Sequence, residues 1–325
     1  MGIVTAAAVK RAGCLLAQPC LLFLTVVLFS AAADAAAPSP IPRFFFAGNG
    51  RLVLRHGHFD STLDVRYRRA DGSYDPAALA RINHFFRSRT DGREARVSLR
   101  LIELLAYVQS QYRPRQMILL SGFRSVELNS ELRDAGQAVA LASLHTQAMA
   151  ADVMFTGIDM KRLWRQLREL HTGGVGYYRK SKFVHLDTGP PRFWEETTSR
   201  VSENLAADNA RVFARTDFDR YERLEGAVCS LHSVTAFPLL IAPHAKLAQP
   251  SGTTDVALQP VSDGIAVQEG CFAIRTPAQA YEFRVMGAAA APSEAARAHI
   301  VLASCEPRVG KTPAEIESNP IEVRR

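Results

Sequence analysis

The sequence predicts an α+β protein, with a small antiparallel sheet and helices over residues 40–196 and a smaller β-rich accessory domain over 227–306. Three observations lead there. Strand-like and helix-like runs follow one another without the regular βαβ alternation of a parallel sheet. Beyond Trp194 the chain turns to short Val, Leu, Ala and Ile runs broken by Pro, Gly and Asp, such as Leu239-Leu240-Ile241-Ala242-Pro243 and Cys271-Phe272-Ala273-Ile274-Arg275. At 325 residues the chain is also too long for one ordinary domain.

Residues 1–36 read as a secretory signal. Lys10 and Arg11 form a basic start, Cys20 to Ala33 is apolar, and Ala33-Asp34-Ala35 and Ala35-Ala36-Ala37 are small-x-small cleavage sites. The competing reading is an uncleaved anchor, since no charge lies between Arg11 and Asp34. Lys10-Arg11 is not a twin arginine, which points to the general secretion route, and Cys14 lies too early for a lipoprotein cysteine. The expected location is the periplasm or cell envelope.

Residues 44–67 alternate around Gly48-Asn49-Gly50 and His56-Gly57-His58, which predicts a hairpin. His56-x-His58 could pair on a metal, but ordinary turn and strand surface is the better reading. Asp75-Pro76 opens a helix, Asp as cap and Pro at the first helical position, with Leu79, Ile82, Phe85 and Phe86 inward. A second helix runs over 98–111 with Leu101, Leu104, Leu105 and Val108 inward, and 117–121 is a short buried strand. Residues 127–140 and 159–170 are helical, the latter burying Leu163, Trp164, Leu167 and Leu170. The glycine cluster at 173–176 lacks a phosphate-loop context and is expected to let a loop approach substrate. Residues 197–226 are charged and predicted helical or linking, and 307–325 form a polar tail.

Apolar content of 47% and charged content of 22% are ordinary for a globular chain. The net charge is +7, and loss of residues 1–36 lowers it by one. A basic exported protein without a nucleic-acid motif suits cell-wall material and its carboxylates better than nucleic acid. No membrane contact is expected beyond the export segment. Cys229, Cys271 and Cys305 follow that segment: two of them pair in an oxidising compartment, in any of three ways, or all three stay buried as thiols.

The most informative segments are Ser143-Leu144-His145-Thr146-Gln147-Ala148-Met149-Ala150-Ala151-Asp152 and Phe183-Val184-His185-Leu186-Asp187. Two imidazoles, His145 and His185, and the Asp152 carboxylate suit a zinc ion that keeps a fourth position for water. Such a centre suits peptide-bond hydrolysis. On a strand, His185 and Asp187 share a face, so one strand delivers a ligand and a second carboxylate. Asp187 is the candidate general base, with orientation of a ligand histidine as its other use.

These segments, with Gly72-Ser73-Tyr74-Asp75-Pro76, Asn83-His84-Phe85-Phe86-Arg87, Ser121-Gly122-Phe123-Arg124-Ser125 and Gly173-Gly174-Val175-Gly176-Tyr177-Tyr178, resemble the murein endopeptidase K family. That family belongs to the lysostaphin, D-Ala-D-Ala carboxypeptidase and hedgehog-type group of zinc peptidases. The resemblance covers roughly residues 43–196 and implies a central antiparallel sheet flanked by helices, with zinc on its concave face. It implies hydrolysis of peptidoglycan stem-peptide cross-links, with D-Ala-D-Ala carboxypeptidase action or an inactive wall-binding module as alternatives. It implies that Arg124 faces substrate and stabilises a developing oxyanion or binds a carboxylate, and that Ser143 binds substrate, capping a turn being its other use. Two departures stand out. Ala148 replaces the family glycine, and Ser181-Lys182-Phe183-Val184 holds no carboxylate where relatives often place the base.

Overall fold

Alternation along the strands sets the layers of this fold. Leu52 and Leu54 are buried while Arg51 and Arg55 are exposed, so β1 (Arg51–His56) buries one face and wets the other, as does β2 (Thr62–Arg66) through Leu63 and Val65. The computed structural model describes residues 43–135, 143–198, 212–232, 237–275, 280–287, 296–308 and 312–323. The secretory segment lies outside the described residues, as do positions 136–140 of the third predicted helix.

After the hairpin come α1 (Pro76–Phe85), α2 (Leu99–Tyr112), β3 (Gln116–Ser121), α3 (Val126–Asp134), β4 (Ala150–Thr156), α4 (Met160–Arg168), β5 (Gly174–Tyr178), β6 (Phe183–Asp187) and β7 (Arg192–Glu195). Asp75 caps α1 as its sequence predicts, accepting from the amides of Ala77 and Ala78. Helix α2 carries the buried Glu103, which accepts from the Gly48 amide and from the hydroxyls of Tyr67 and Tyr74, with Arg68 at 3.1 Å. Those four partners compensate a carboxylate that burial alone would strongly disfavour.

The seven strands form one sheet in the order β2-β1-β3-β4-β6-β5-β7. It is neither small nor wholly antiparallel, as the sequence had suggested: β1 pairs parallel with β3, and β5 with β7. The first parallel pair exists because a long crossover through β2, α1 and α2 brings the chain back in the same direction. One face, with Leu52, Leu119, Ala151, Val153, Val184 and Leu186, joins residues of α1, α2 and α4 in the main core. The interleaved residues, Asp152 and His185 among them, lie on the opposite face.

The remaining described chain is almost entirely strand: β8 (Phe213–Thr216), β9 (Arg220–Tyr221), β10 (Val228–His232), β11 (Leu239–Gln249), β12 (Gly252–Pro260), β13 (Ile265–Gln268), β14 (Cys271–Ile274), β15 (Tyr281–Met286), β16 (Ala296–Ser304), β17 (Glu315–Glu317) and β18 (Ile321–Val323). They form an 11-stranded sheet with its own core. The stretch expected as helical linker therefore holds two strands, and the expected polar tail holds two more. Alternating burial at Ile316, Ile321 and Val323 is what recruits that tail, a signal too short to rise above its charged neighbours. Cys271 is bonded to Cys305, while Cys229 is a buried thiol whose pKa burial pushes up to about 12.

No helix among the described residues is long and apolar enough to cross a membrane.

Candidate metal centre

Strand register builds the site. Asp152 of β4 lies directly opposite His185 of β6 and Ser121 of β3, and His185 lies opposite Gly176 of β5, which faces Trp194 of β7. Directly opposed residues share a sheet face, so Ser121, Asp152, His185, Gly176 and Trp194 form one row across five strands. His145 comes from the short 3-10 turn Leu144–Gln147 just before β4. Its carbonyl accepts from the Arg124 amide at 3.1 Å, which ties that turn to the segment after β3.

The hydrogen-bond partners fix the outward-facing nitrogens. His145 Nδ1 lies 2.7 Å from the Gly122 carbonyl, which can only accept, so Nδ1 carries the proton and Nε2 offers a lone pair. His185 Nε2 lies 3.0 Å from the Asp187 carboxylate and donates to it, leaving Nδ1 directed at Asp152, 2.9 Å away, and at His145 Nε2, 3.3 Å away. His145, Asp152 and His185, all buried, thus converge with their ligand atoms within 4.8 Å of one another. Three electron-pair donors in so small a space call for a cation between them. Arg124 supplies part of that charge, donating from Nη2 to Asp152 at 2.6 Å while its Nε donates to Ser121 Oγ at 2.8 Å.

Titration follows the same logic. Burial pulls His145 below the usual imidazole value, helped by Arg124. Burial opposes the charged forms of Asp152 and His185 too, but is outweighed: His145, His185 and Arg124 hold the Asp152 carboxyl well below its ordinary range, and Asp152 with Asp187 holds His185 above its own. The donor set of two imidazoles and one carboxylate, with each imidazole turned by a fixed second partner, fits a zinc ion.

Asp187 is brought to the cluster, but not as a free base. It is fully buried, and Oδ1 accepts from the amides of Gly174 and Gly189, each at 2.9 Å. Oδ2 takes His185 Nε2 at 3.0 Å and Arg192 Nη2 at 2.7 Å. Although burial alone would raise its pKa, Arg192, His185 and the Gly174 amide push it far down. A carboxylate with four donors is placed to orient His185, one of the two uses its sequence position allows.

Ser143 likewise caps the turn, accepting from the His145 amide at 3.4 Å, and its carbonyl accepts from Thr146 Oγ1 at 2.6 Å. Arg124 lines the cleft that reaches Asp152. The glycine cluster is packed rather than open. A Cβ on Gly174 would stand 2.2 Å from Asp187 Oδ2, and one on Gly176 2.3 Å from Trp194 Cε2. Gly176 thereby makes room for the indole, whose ring centroid lies 5.2 Å from that of His185. Neither Trp194 nor Arg192 stands out in the sequence as a site residue. Their one signal is position, because a strand next to a glycine-rich one must supply the missing side chains. His56 does not join the donor set: its Nδ1 accepts from the amides of His58 and Phe59, closing a turn, while its ring lines the same cleft.

Two histidines and an aspartate that converge beside an arginine, His145 from a turn and the other two from the sheet, form a candidate metal centre. Residues 47–194 match the family model described as peptidoglycan L,D-endopeptidase MepK, of the M15 peptidases. Over 163 residues the chain is 34% identical to peptidoglycan L,D-endopeptidase MepK of Escherichia coli K12, spanning 49% of this chain and 89% of that relative. It is 27% identical over 163 residues to the probable peptidoglycan L,D-endopeptidase MepK of Haemophilus influenzae, spanning 50% and 83%. No solved structure matches. The chain belongs to the MepK family of M15 metallopeptidases.

Proposed function

We propose that this protein is an exported zinc peptidase that hydrolyses peptide cross-links of peptidoglycan in the cell envelope. The observation that carries the reading is the convergence of His145 Nε2, His185 Nδ1 and the Asp152 carboxylate within the segment that matches the family. These three would hold the ion. Bound there, zinc supplies Lewis acidity for attack on a peptide carbonyl.

The chain's own residues do the rest. The Gly122 carbonyl and Asp187 keep both imidazoles turned with a lone pair inward. Arg124, braced by Ser121, presents planar donors to a carbonyl oxygen as its charge grows. Trp194 covers one side of His185 and keeps bulk water from it. Asp187 positions His185 and takes no proton. The L,D-endopeptidase names of the relatives favour bonds joining two diaminopimelate residues as the scissile links.

The test is incubation of the mature protein with purified cross-linked muropeptide dimers, with and without chelator, read by mass. Dimers should become monomers only without chelator. The protein should carry about one zinc per chain, lost in the His145→Ala/His185→Ala double variant. Release of free D-Ala alone would make it a carboxypeptidase. Unchanged muropeptides from zinc-loaded, folded protein would leave a wall-binding module.

A further inference from the structure

The cleft that reaches Asp152 holds more positive charge than the ligand set uses. It is lined by Arg87, Arg89 and Arg124 as well as by apolar side chains including Leu120, Phe123 and Phe183. Among the described residues its one lining carboxylate, Asp152, is already taken by Arg124. Among the described residues, neither Arg87 nor Arg89 is ion-paired with a carboxylate. We propose that Arg87 and Arg89 form an anion subsite that binds a carboxylate of the peptide substrate. This rests on the peptidase reading above and names how its substrate is held.

Both guanidiniums are braced without being used up. Arg87 Nη1 donates to the His84 carbonyl at 2.8 Å, and its guanidinium carbon lies 4.4 Å from the centre of the Phe59 ring. Arg89 Nη1 meets His58 Nε2 at 3.3 Å. A guanidinium carries five N–H donors, so most of each remains free to grip a carboxylate in paired fashion.

Their platform is fixed relative to the donor set. His56 closes the turn that presents His58 and Phe59, and the Gly57 amide donates to the Leu119 carbonyl at 2.8 Å on β3. The Phe123 amide donates to the Phe86 carbonyl at 2.8 Å, so the segment bearing Arg87 is bonded to the one whose Gly122 carbonyl holds His145. An anion seated on Arg87 and Arg89 therefore sits in a set register to the scissile centre. The apolar lining suits the aliphatic stem of a peptide side chain better than a bare inorganic anion.

The experiment measures calorimetric binding of two probes to the full zinc-loaded protein: a stem tetrapeptide with free carboxylates, and the same peptide with each carboxylate converted to carboxamide. The acid peptide should bind the unaltered protein at least about tenfold more tightly than the amide, a difference of about 1.4 kcal/mol. Arg87→Gln/Arg89→Gln should erase that preference and raise KM on muropeptide dimers by more than it lowers kcat. Arg162→Gln, on the exposed face of α4, controls for net charge.

Equal binding of acid and amide by the unaltered protein would overturn the subsite without reference to any variant's folding. So would a preference that survives in a double variant with native circular dichroism. Cleavage without the preference would fell the subsite and leave the peptidase reading standing; the preference without cleavage would do the reverse.

Discussion

Asp187 holds the orientation of His185, and a one-atom change exposes that role. Asp187→Asn keeps one acceptor oxygen where four donors now converge, so its amide must turn N–H toward another N–H. Zinc affinity should fall about 10–100-fold, in the range for loss of a histidine's orienting partner. Turnover measured at saturating zinc should recover much of the loss. If zinc binding is untouched and turnover alone collapses, Asp187 is the base after all.

His56 gives a pH signature. Burial, with His58 and Arg87 nearby, lowers its pKa to about 4, against about 6.5 in an unfolded chain. The native state then binds fewer protons than the unfolded one between these values, so stability present above about 6.5 is lost as pH falls toward about 4. His56→Asn keeps an acceptor for the turn amides and should flatten the slope of denaturant stability in that window. A slope equal to that of the unaltered protein would remove His56 as its source.

The convergence of His145, Asp152 and His185 was legible because two short segments carry all three, with a spacing that resembles a known family. Which of its two uses Asp187 serves was not. It depends on Gly174, Gly189 and Arg192 arriving from other parts of the chain, which no spacing within one strand reveals.

At the scale of elements, the site is a matter of register and of one missing side chain. Gly176→Ala places a methyl where the Trp194 indole stands, 2.3 Å from Cε2. The ring must leave His185, and activity should drop at least about tenfold with the fold kept, as seen by circular dichroism together with altered tryptophan fluorescence. Unchanged fluorescence and activity would show that Trp194 plays no part.

Ala148 tells a related story. It sits at φ 51°, a left-handed conformation that costs an L-residue about 1–2 kcal/mol, which explains the glycine of the family pattern. Here the methyl is buried in the main core, which offsets part of that strain. Helices α1, α2 and α4 were readable from 3.6-residue periodicity and, for α1, from its Asp-Pro cap. Parallel pairing of β1 with β3 and of β5 with β7 was not, because strand direction is set by crossovers rather than by side-chain pattern.

For the whole molecule, the composition change after Trp194 announced a second part but not where it rests. Phe213 of β8 packs with Leu144, Met149 and Ala150, which flank His145 and Asp152. Arg215 Nε donates to the Thr188 carbonyl at 2.9 Å, one residue past Asp187, and His232 meets Gln147 at 3.0 Å. Phe213→Ala should cost about 3–5 kcal/mol and also weaken zinc binding in the folded fraction. Phe283→Ala, in the core of the second sheet, should cost as much stability and leave zinc affinity alone. Equal zinc affinities in the two variants would show that the second sheet lends the centre nothing specific.

Asp219 lies on the same seam. Its carboxylate accepts from the Phe45 amide at 2.9 Å across 174 positions and pairs with Arg100, and its carbonyl accepts from the Glu322 amide at 2.7 Å. In a polypeptide that emerges amino end first, Phe45 waits while those 174 positions follow, and Glu322 arrives roughly a hundred residues later still. The clasp is thus among the last joints to close. A product lacking β18 would lose the Glu322 amide from the Asp219 carbonyl while the carboxylate kept Phe45 and Arg100, so the clasp would be joined on one side only.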